Sequence, residues 1–150
     1  MHLVFPRTLL FLERDGRTLF LRGAPGKWFA GRLNGLGGRL EPGEGVRAGA
    51  LREAREETGL EPAALELAAT VHTIEEPPVM LFVLTGTLPP GPLRPTPEGE
   101  HVWLPAAAVS DPGHPFVDDV RLLLPALRAR SPGAAPLSFT LRPPADLRLA

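Results

Sequence analysis

The 150-residue chain has no cysteine. That excludes a disulfide framework and a thiolate metal site, and it leaves the compartment open on redox grounds. It also has no tyrosine, and of its 16 basic residues only Lys27 is a lysine. No apolar run reaches the length of a membrane span, and Met1–Arg7 lack both a basic n-region and a long apolar stretch, so a cytoplasmic protein with no membrane partner is expected. A formal net charge of −1 without a basic cluster argues against a nucleic-acid partner and fits a substrate whose negative charge is carried in with its metal. The 19 prolines and abundant alanine look like high-GC coding, and loop proline adds some thermal stability. The length suffices for one domain with its own core, expected over residues 1–142 with a tail at 143–150 and assembled as a monomer or homodimer.

What is present is concentrated in residues 38 to 60. Gly38 is followed after five residues by Glu44, and after seven more by Arg52-Glu53-x-x-Glu56-Glu57-x-Gly59-Leu60. Seven fixed residue types at these offsets recur by chance on the order of once in 10⁸ start positions. Gly43 and Gly45 flank Glu44 in a loop punctuated by Pro42, and from Val46 the apolar spacing turns helical, with Val46, Ala50, Leu51 and Ala54 able to face a core. A helix is predicted from about residue 46 until Gly59, which can adopt the left-handed conformation that ends one. Glu53, Glu56 and Glu57 then share one face, where mutual repulsion at neutral pH needs an opposing charge. Oxygen-only ligands point to a hard cation, Mg²⁺ or Mn²⁺, rather than zinc. The plainer alternative is a solvated helix face on which Arg52 and Arg55 pair with neighbouring glutamates.

The rest of the chain is regularly punctuated. Leu3 to Leu12 and Thr18 to Leu21 read as a hairpin about Asp15-Gly16, residues 23 to 35 as a loop, and Leu67 to Ile74 and Val79 to Thr87 as two further strands. A proline-rich connector spans residues 88 to 99, followed by a short strand His101 to Leu104 and a helical turn Pro105 to Val109. Val120 to Arg130 forms a second amphipathic helix that Pro125 should kink unless it falls in the first turn. Leu137 to Arg142 can close as an edge strand before a fraying Pro143-Pro144 tail. Strands mixed with two helices predict an α/β fold, a layered α/β/α sandwich around a mixed β-sheet.

The run from Gly38 to Leu60 resembles the signature of the Nudix hydrolase family, which implies the same fold and a metal-assisted attack of water on a diphosphate linkage. Carried over residue by residue, the resemblance makes Glu53, Glu56 and Glu57 metal ligands or, for one of them, the water-activating base. It gives Gly38 a ligating backbone carbonyl, has Arg52 orient the glutamates, and has Glu44 brace the loop. Many members add a carboxylate from outside the signature. Glu98 and Glu100 are the candidates here, with Glu100 slightly preferred.

Residues 28 to 44 are similar to the matching stretch of the animal-type oxidised purine nucleoside triphosphatases, a MutT-type branch that hydrolyses 8-oxo-dGTP and 2-hydroxy-dATP to monophosphates. Phe116-Val117-Asp118-Asp119 and Trp103 also match that branch in order. The resemblance implies that Asn34, Asp118 and Asp119 hydrogen-bond the base edge, that Phe116 stacks on the ring where that branch has tryptophan, and that Arg39 faces substrate. Two adjacent aspartates tend to share one proton, offering a donor and an acceptor that can swap between keto and amino groups. The alternatives are structural: Asp118 as a helix cap with Asp119 in the first turn, Asn34 as a turn residue before Gly35, and Phe116 and Trp28 as partly core aromatics. The four histidines show no ligand spacing. The function expected is pyrophosphohydrolysis of oxidised purine nucleoside triphosphates. Its rivals are another Nudix substrate, such as a dinucleoside polyphosphate, an ordinary NTP or a nucleotide sugar, and a nucleotide sensor without turnover.

Overall fold

A computed structural model describes residues 3–142 in full and the backbone of 146–149. Asp15 and Gly16, at φ 54° and 75°, make the two-residue turn joining β1 (Phe5–Arg14) to β2 (Arg17–Gly23). The remaining strands are β3 (Leu33–Asn34), β4 (Ala63–Thr73), β5 (Val79–Thr87), β6 (Gly99–Leu104), β7 (Leu137–Arg142) and β8 (Asp146–Leu149). They form one sheet in the order β3-β2-β1-β5-β4-β7-β8, with β6 on β2. β1 runs parallel to β5 and β4 parallel to β7, and the other pairs are antiparallel, so the sheet is mixed. Thr8 to Leu12 are all buried. Because successive strand side chains point to opposite faces, an unbroken buried run requires cover on both, which is the layered arrangement expected.

The hairpin opens soon after its turn. β1 and β2 pair only from Leu12↔Leu19 to Arg14↔Arg17. Beyond that the segment from Leu33 to Leu40 lies between them. β3 pairs with β2 through Leu21↔Asn34 and Arg22↔Leu33, while Leu36 exchanges both backbone bonds with Leu10 at 2.7 and 3.1 Å. Thr8 N–H donates to the Gly38 carbonyl at 2.8 Å and Leu40 N–H to the Pro6 carbonyl at 3.1 Å. The sequence reading ended its loop at residue 35 and gave no strand to this segment, because two residues carry no readable period.

The helix α1 spans Val46–Thr58, and Gly59, at φ 77°, closes it by donating its N–H to the Arg55 carbonyl at 2.8 Å. Ala50 and Ala54 are fully buried, with Val46 and Leu51 packed against the core. The second helix, α2 (Asp118–Ala129), begins two residues before the start read from sequence and buries Val120, Leu123, Leu124 and Leu127. Ala106–Ser110 is a 3₁₀ turn. The boundary of the expected tail, residues 143 to 145, lies outside the described residues. Asp146–Leu149 pairs antiparallel with β7, so the sheet continues where a frayed end was expected.

Pro125 lies inside α2 and outside its first turn. It cannot donate to the Arg121 carbonyl one turn back, and its ring crowds that oxygen. Pro125→Ala is expected to stabilise the fold by about 2 kcal/mol, the interior-proline penalty less the entropy that proline removes from the unfolded chain. Urea denaturation showing no gain would mean that the helix accommodates the ring without loss.

Candidate active site

The segment between β1 and β2 brings a glycine run against the acidic face of α1. Gly37 has φ 129°, and a Cβ there would overlap the Thr8 carbonyl oxygen. Only glycine fits so close to β1. A Cβ on Gly38 would stand 2.5 Å from Glu53 Oε1, so the peptide and the carboxylate are in near contact. Gly37 N–H donates to Glu57 Oε2 at 2.9 Å. Glu57 is only 3% exposed, and burial, opposed by that bond and reinforced by the charges of Glu53, Glu98 and Glu56, pushes its carboxyl up to about 8. Burial raises Glu53 as well, against the pull of Arg52.

Arg52 organises the remaining acids. Its Nε and one terminal nitrogen donate to the two oxygens of Glu44 at 2.7 and 3.0 Å; the other donates to Glu53 at 3.1 Å and Glu56 at 3.3 Å. It also donates to the Arg39 carbonyl at 3.1 Å. Glu44 accepts the Glu41 N–H at 2.9 Å, and the Arg52 bonds, with that one second, pull its carboxyl down to about 2. Glu44 and Arg52 thus brace the loop to the helix. His101 Nε2 lies 2.6 Å from the Glu57 carbonyl, which can only accept, so that nitrogen carries the proton and satisfies one of the orphan carbonyls at the end of α1.

A cleft of about 430 Å³, the size of a small-molecule site, opens beside this cluster. Gly37, Gly38, Glu57 and Glu98 line it, and so do Asn34, Asp118 and Asp119. Asp118 and Asp119 occupy the first turn of α2, whose N-cap is Val117 without a side-chain bond, so Asp118 is not the cap. Burial, then the charges of Glu75 and Asp118, raises the Asp119 carboxyl. Asn34 Oδ1 accepts the Gly35 N–H at 2.9 Å, a turn bond that leaves its amide hydrogens free to donate.

Four sequence expectations need correction. Phe116 is 4% exposed, packs edge-on against Phe20 at 5.0 Å and does not line the cleft, because the backbone bridge of Leu33 to Phe116 fixes it in the core. Trp28, expected partly in the core, is 59% exposed and lines the cleft. Glu100 is exposed on β6 opposite Arg22 and lies off the cleft, whereas Glu98, in the turn before β6, lines it and bonds Lys27 Nζ at 3.0 Å. Arg39 lies over the Phe5 ring at 5.2 Å and is not part of the lining either. No motif or period in the sequence marks Arg7, Arg32, Thr73 or Glu75, all of which line the cleft. Their only signal is their position at strand ends and loops that the topology brings together.

The donor set around Gly38 consists of oxygens alone, with Glu57 buried and Glu53 half-buried beside it, and that chemistry fits a hard divalent cation. Among the described residues no three acidic or imidazole side chains are already arranged to hold one. Each carboxylate is engaged locally instead: Glu57 by Gly37, Glu53 and Glu56 by Arg52, Glu98 by Lys27.

A glycine loop inserted between β1 and β2 and set against an acid-bearing helix, with oxygens alone as ligating atoms, fits metal-assisted hydrolysis of phosphate linkages. The family model described as the NUDIX domain matches residues 5–124, and the chain belongs to the Nudix hydrolase family, of the pyrophosphohydrolase class. Members of this family bind nucleotide substrates and in general depend on a divalent metal. Among solved structures it is similar to a mutator MutT protein from Bacillus halodurans, at 22% identity over 96% of this chain and 94% of that one with a TM-score of 0.73. A MutT protein from Methanosarcina mazei is 20% identical over 85% and 95% of the two chains, TM-score 0.74. The ORF135 protein of E. coli is 26% identical over 89% and 96%, TM-score 0.68. No curated protein matches the sequence. No helix is long and apolar enough to cross a membrane among the described residues.

Between the ordinary glutamate range and about 8, the folded protein keeps a proton on Glu57 that the unfolded chain releases. Stability must then fall as pH rises through that window, by roughly 1 kcal/mol per unit, with Glu53 and Asp119 adding in the same direction. Glu57→Gln should flatten the slope of thermal stability against pH in EDTA. An unchanged slope would show that Glu57 does not carry it.

Proposed function

We propose that the chain is a Mg²⁺- or Mn²⁺-dependent pyrophosphohydrolase of purine nucleoside triphosphates, preferring oxidised purines such as 8-oxo-dGTP and releasing monophosphate and pyrophosphate, a role in nucleotide-pool sanitation. One observation carries this reading. A single cleft is lined both by Glu57 and Glu98, from the acidic cluster beside Gly38, and by Asn34, Asp118 and Asp119, which together offer donors and acceptors to a base edge.

Glu53, Glu56, Glu57 and Glu98, with the Gly38 carbonyl, would hold the cation, which supplies the charge neutralisation that opens a phosphoanhydride to in-line attack by water. Arg52 keeps Glu53 and Glu56 oriented by charge-assisted bonds and is itself fixed by Glu44. At the base, Asn34 donates through its free amide hydrogens. Asp119, held toward its protonated form, offers a hydroxyl where Asp118 offers a carboxylate, an asymmetry suited to a keto oxygen beside ring and amino N–H groups. Trp28 supplies the exposed ring for stacking that the buried Phe116 cannot.

A panel of phosphate-linked substrates assayed with Mg²⁺, with products separated by chromatography, tests the assignment. Hydrolysis in ¹⁸O-labelled water should give nucleoside monophosphate and intact pyrophosphate. Orthophosphate as first product, or preference set by phosphate-chain length rather than base, would move the protein to another Nudix substrate.

Glu56→Gln and Glu57→Gln should each lower kcat by at least ~10²-fold in a folded protein, since each removes a charged ligand from a metal-assisted displacement. Glu98→Gln should have a large effect and Glu100→Gln a small one, and the reverse order would remove Glu98 from the ligand set. Asp119→Asn should cost more kcat/KM on 8-oxo-dGTP than on dGTP, by roughly 1–3 kcal/mol for a mispaired buried group. An unchanged ratio would leave Asp118 and Asp119 as a helix start only.

A further inference from the structure

Lys27 is the one lysine among the 16 basic residues, and its Nζ lies 3.0 Å from Glu98 Oε1, with the two side chains 37% and 40% exposed. The backbones beneath this pair are fixed. Lys27 N–H donates to the Ala24 carbonyl at 3.2 Å, Ala30 N–H to the Lys27 carbonyl at 3.0 Å, and Ala24 N–H to the Glu98 carbonyl at 3.0 Å. The two loops are therefore joined without the ion pair, and the lysine stem is left free to swing.

Arg52, the other cation of the acidic cluster, has all three of its guanidinium nitrogens bonded and serves as fixed structure. Lys27 makes one side-chain bond, to Glu98, the one carboxylate among the proposed metal ligands that comes from outside α1. A compact ammonium on a flexible stem releases a carboxylate more readily than a bidentate guanidinium does. Glu98 also repels Glu53 and Glu57, so any charge placed on Glu98 is felt by all three.

We propose that Lys27 is a positioning residue: its ammonium competes with the divalent cation for Glu98, and capture of Glu98 by the cation transfers Lys27 to the phosphates of the substrate. The proposal rests on the reading of Glu98 as a metal ligand. Before the cation arrives Lys27 holds Glu98 at the cleft, and afterwards it offsets charge on a polyanion beside a surface that is otherwise acidic.

The test is Mn²⁺ titration of the full chain without nucleotide, by calorimetry, for the wild type, Lys27→Gln, Glu98→Gln and the double variant. Lys27→Gln should tighten Mn²⁺ binding roughly two- to fivefold, the range for releasing a half-exposed ion pair. The double variant should bind as Glu98→Gln does. Equal tightening in the presence and absence of Glu98 would reduce Lys27 to a general positive charge and overturn the competition, as would no tightening at all. Wild-type Mn²⁺ affinity in Glu98→Gln would instead overturn the ligand assignment, and the proposal with it. In saturating Mn²⁺, binding of an α,β-methylene nucleoside triphosphate should weaken at least ~10-fold in Lys27→Gln and recover in Lys27→Arg. Unchanged binding of that analogue would overturn the transfer to phosphate.

Discussion

The structure depends on a strand-width segment inserted into a hairpin. β1 and β2 separate after three residue pairs, and the chain from Leu33 to Leu40 takes up hydrogen bonds from both: β2 through Leu33 and Asn34, β1 through Leu36, Gly38 and Leu40. Backbone groups that the divergence would leave unpaired inside the protein are satisfied by this segment, with Gly23 at the end of β2 bonding Arg32 and Gly31 just before it. The glycines follow from that constraint. A backbone packed directly on β1 has no room for a side chain at Gly37, and at Gly38 the space is occupied by the Glu53 carboxylate of the helix laid over it. Sheet register, the glycine run and the position of the acidic helix are therefore one structural fact.

Placing a carboxylate-bearing helix face against a buried glycine loop has an electrostatic cost, and the chain meets it unevenly. Glu44 is matched by Arg52 and a backbone N–H, and its carboxyl falls to about 2. Glu57 receives one N–H, and its carboxyl rises to about 8. A buried ion cluster adds little net stability over an apolar one, so the contrast supports the proposed function: the loop is braced and the face proposed to hold the cation is left short of positive charge. The single charge of Arg52 is shared between Glu53, Glu56 and Glu44, and its shortest bond goes to Glu44.

The local parts of this arrangement were legible in the sequence. Helix α1 begins and ends where Val46 and Gly59 place it, the Asp15-Gly16 turn falls where expected, the strands Val79–Thr87 and Leu137–Arg142 match their expected bounds, and the acids share the face their spacing dictates. Each is encoded by a period or a turn within a few residues. What was not legible depends on contacts between distant segments. β3 is two residues long and exists only because β2 needs a partner there. Glu98 and Glu100 differ by two positions in sequence, yet one sits in a turn against Lys27 and the other lies in β6 against Arg22. Phe116 followed a family pattern in which a larger aromatic stands at that place; here its bridge to Leu33 and its edge contact with Phe20 hold it in the core, and Trp28 carries the exposed ring.

The charges lining the cleft make its ligand more specific than its shape does. Among the described residues the lining carries Glu57, Glu75, Glu98, Asp118 and Asp119 beside Arg7 and Arg32, but burial holds Glu57 and Asp119 toward their protonated forms and Lys27 pairs with Glu98. Thr73, 4% exposed, donates its hydroxyl to Glu75 at 3.0 Å, so this acid too is held in place rather than left to solvent. A cation carried in with the phosphates of the proposed substrate would displace the proton that burial keeps on Glu57 and draw Glu98 from Lys27, so negative charge would develop in the cleft only as the metal arrives. Asp118 beside a protonated Asp119 would in turn offer the base edge of the proposed substrate an acceptor and a donor together. The acids would then act on both halves of the proposed ligand, answering the cation at the phosphates and setting hydrogen-bond polarity at the base.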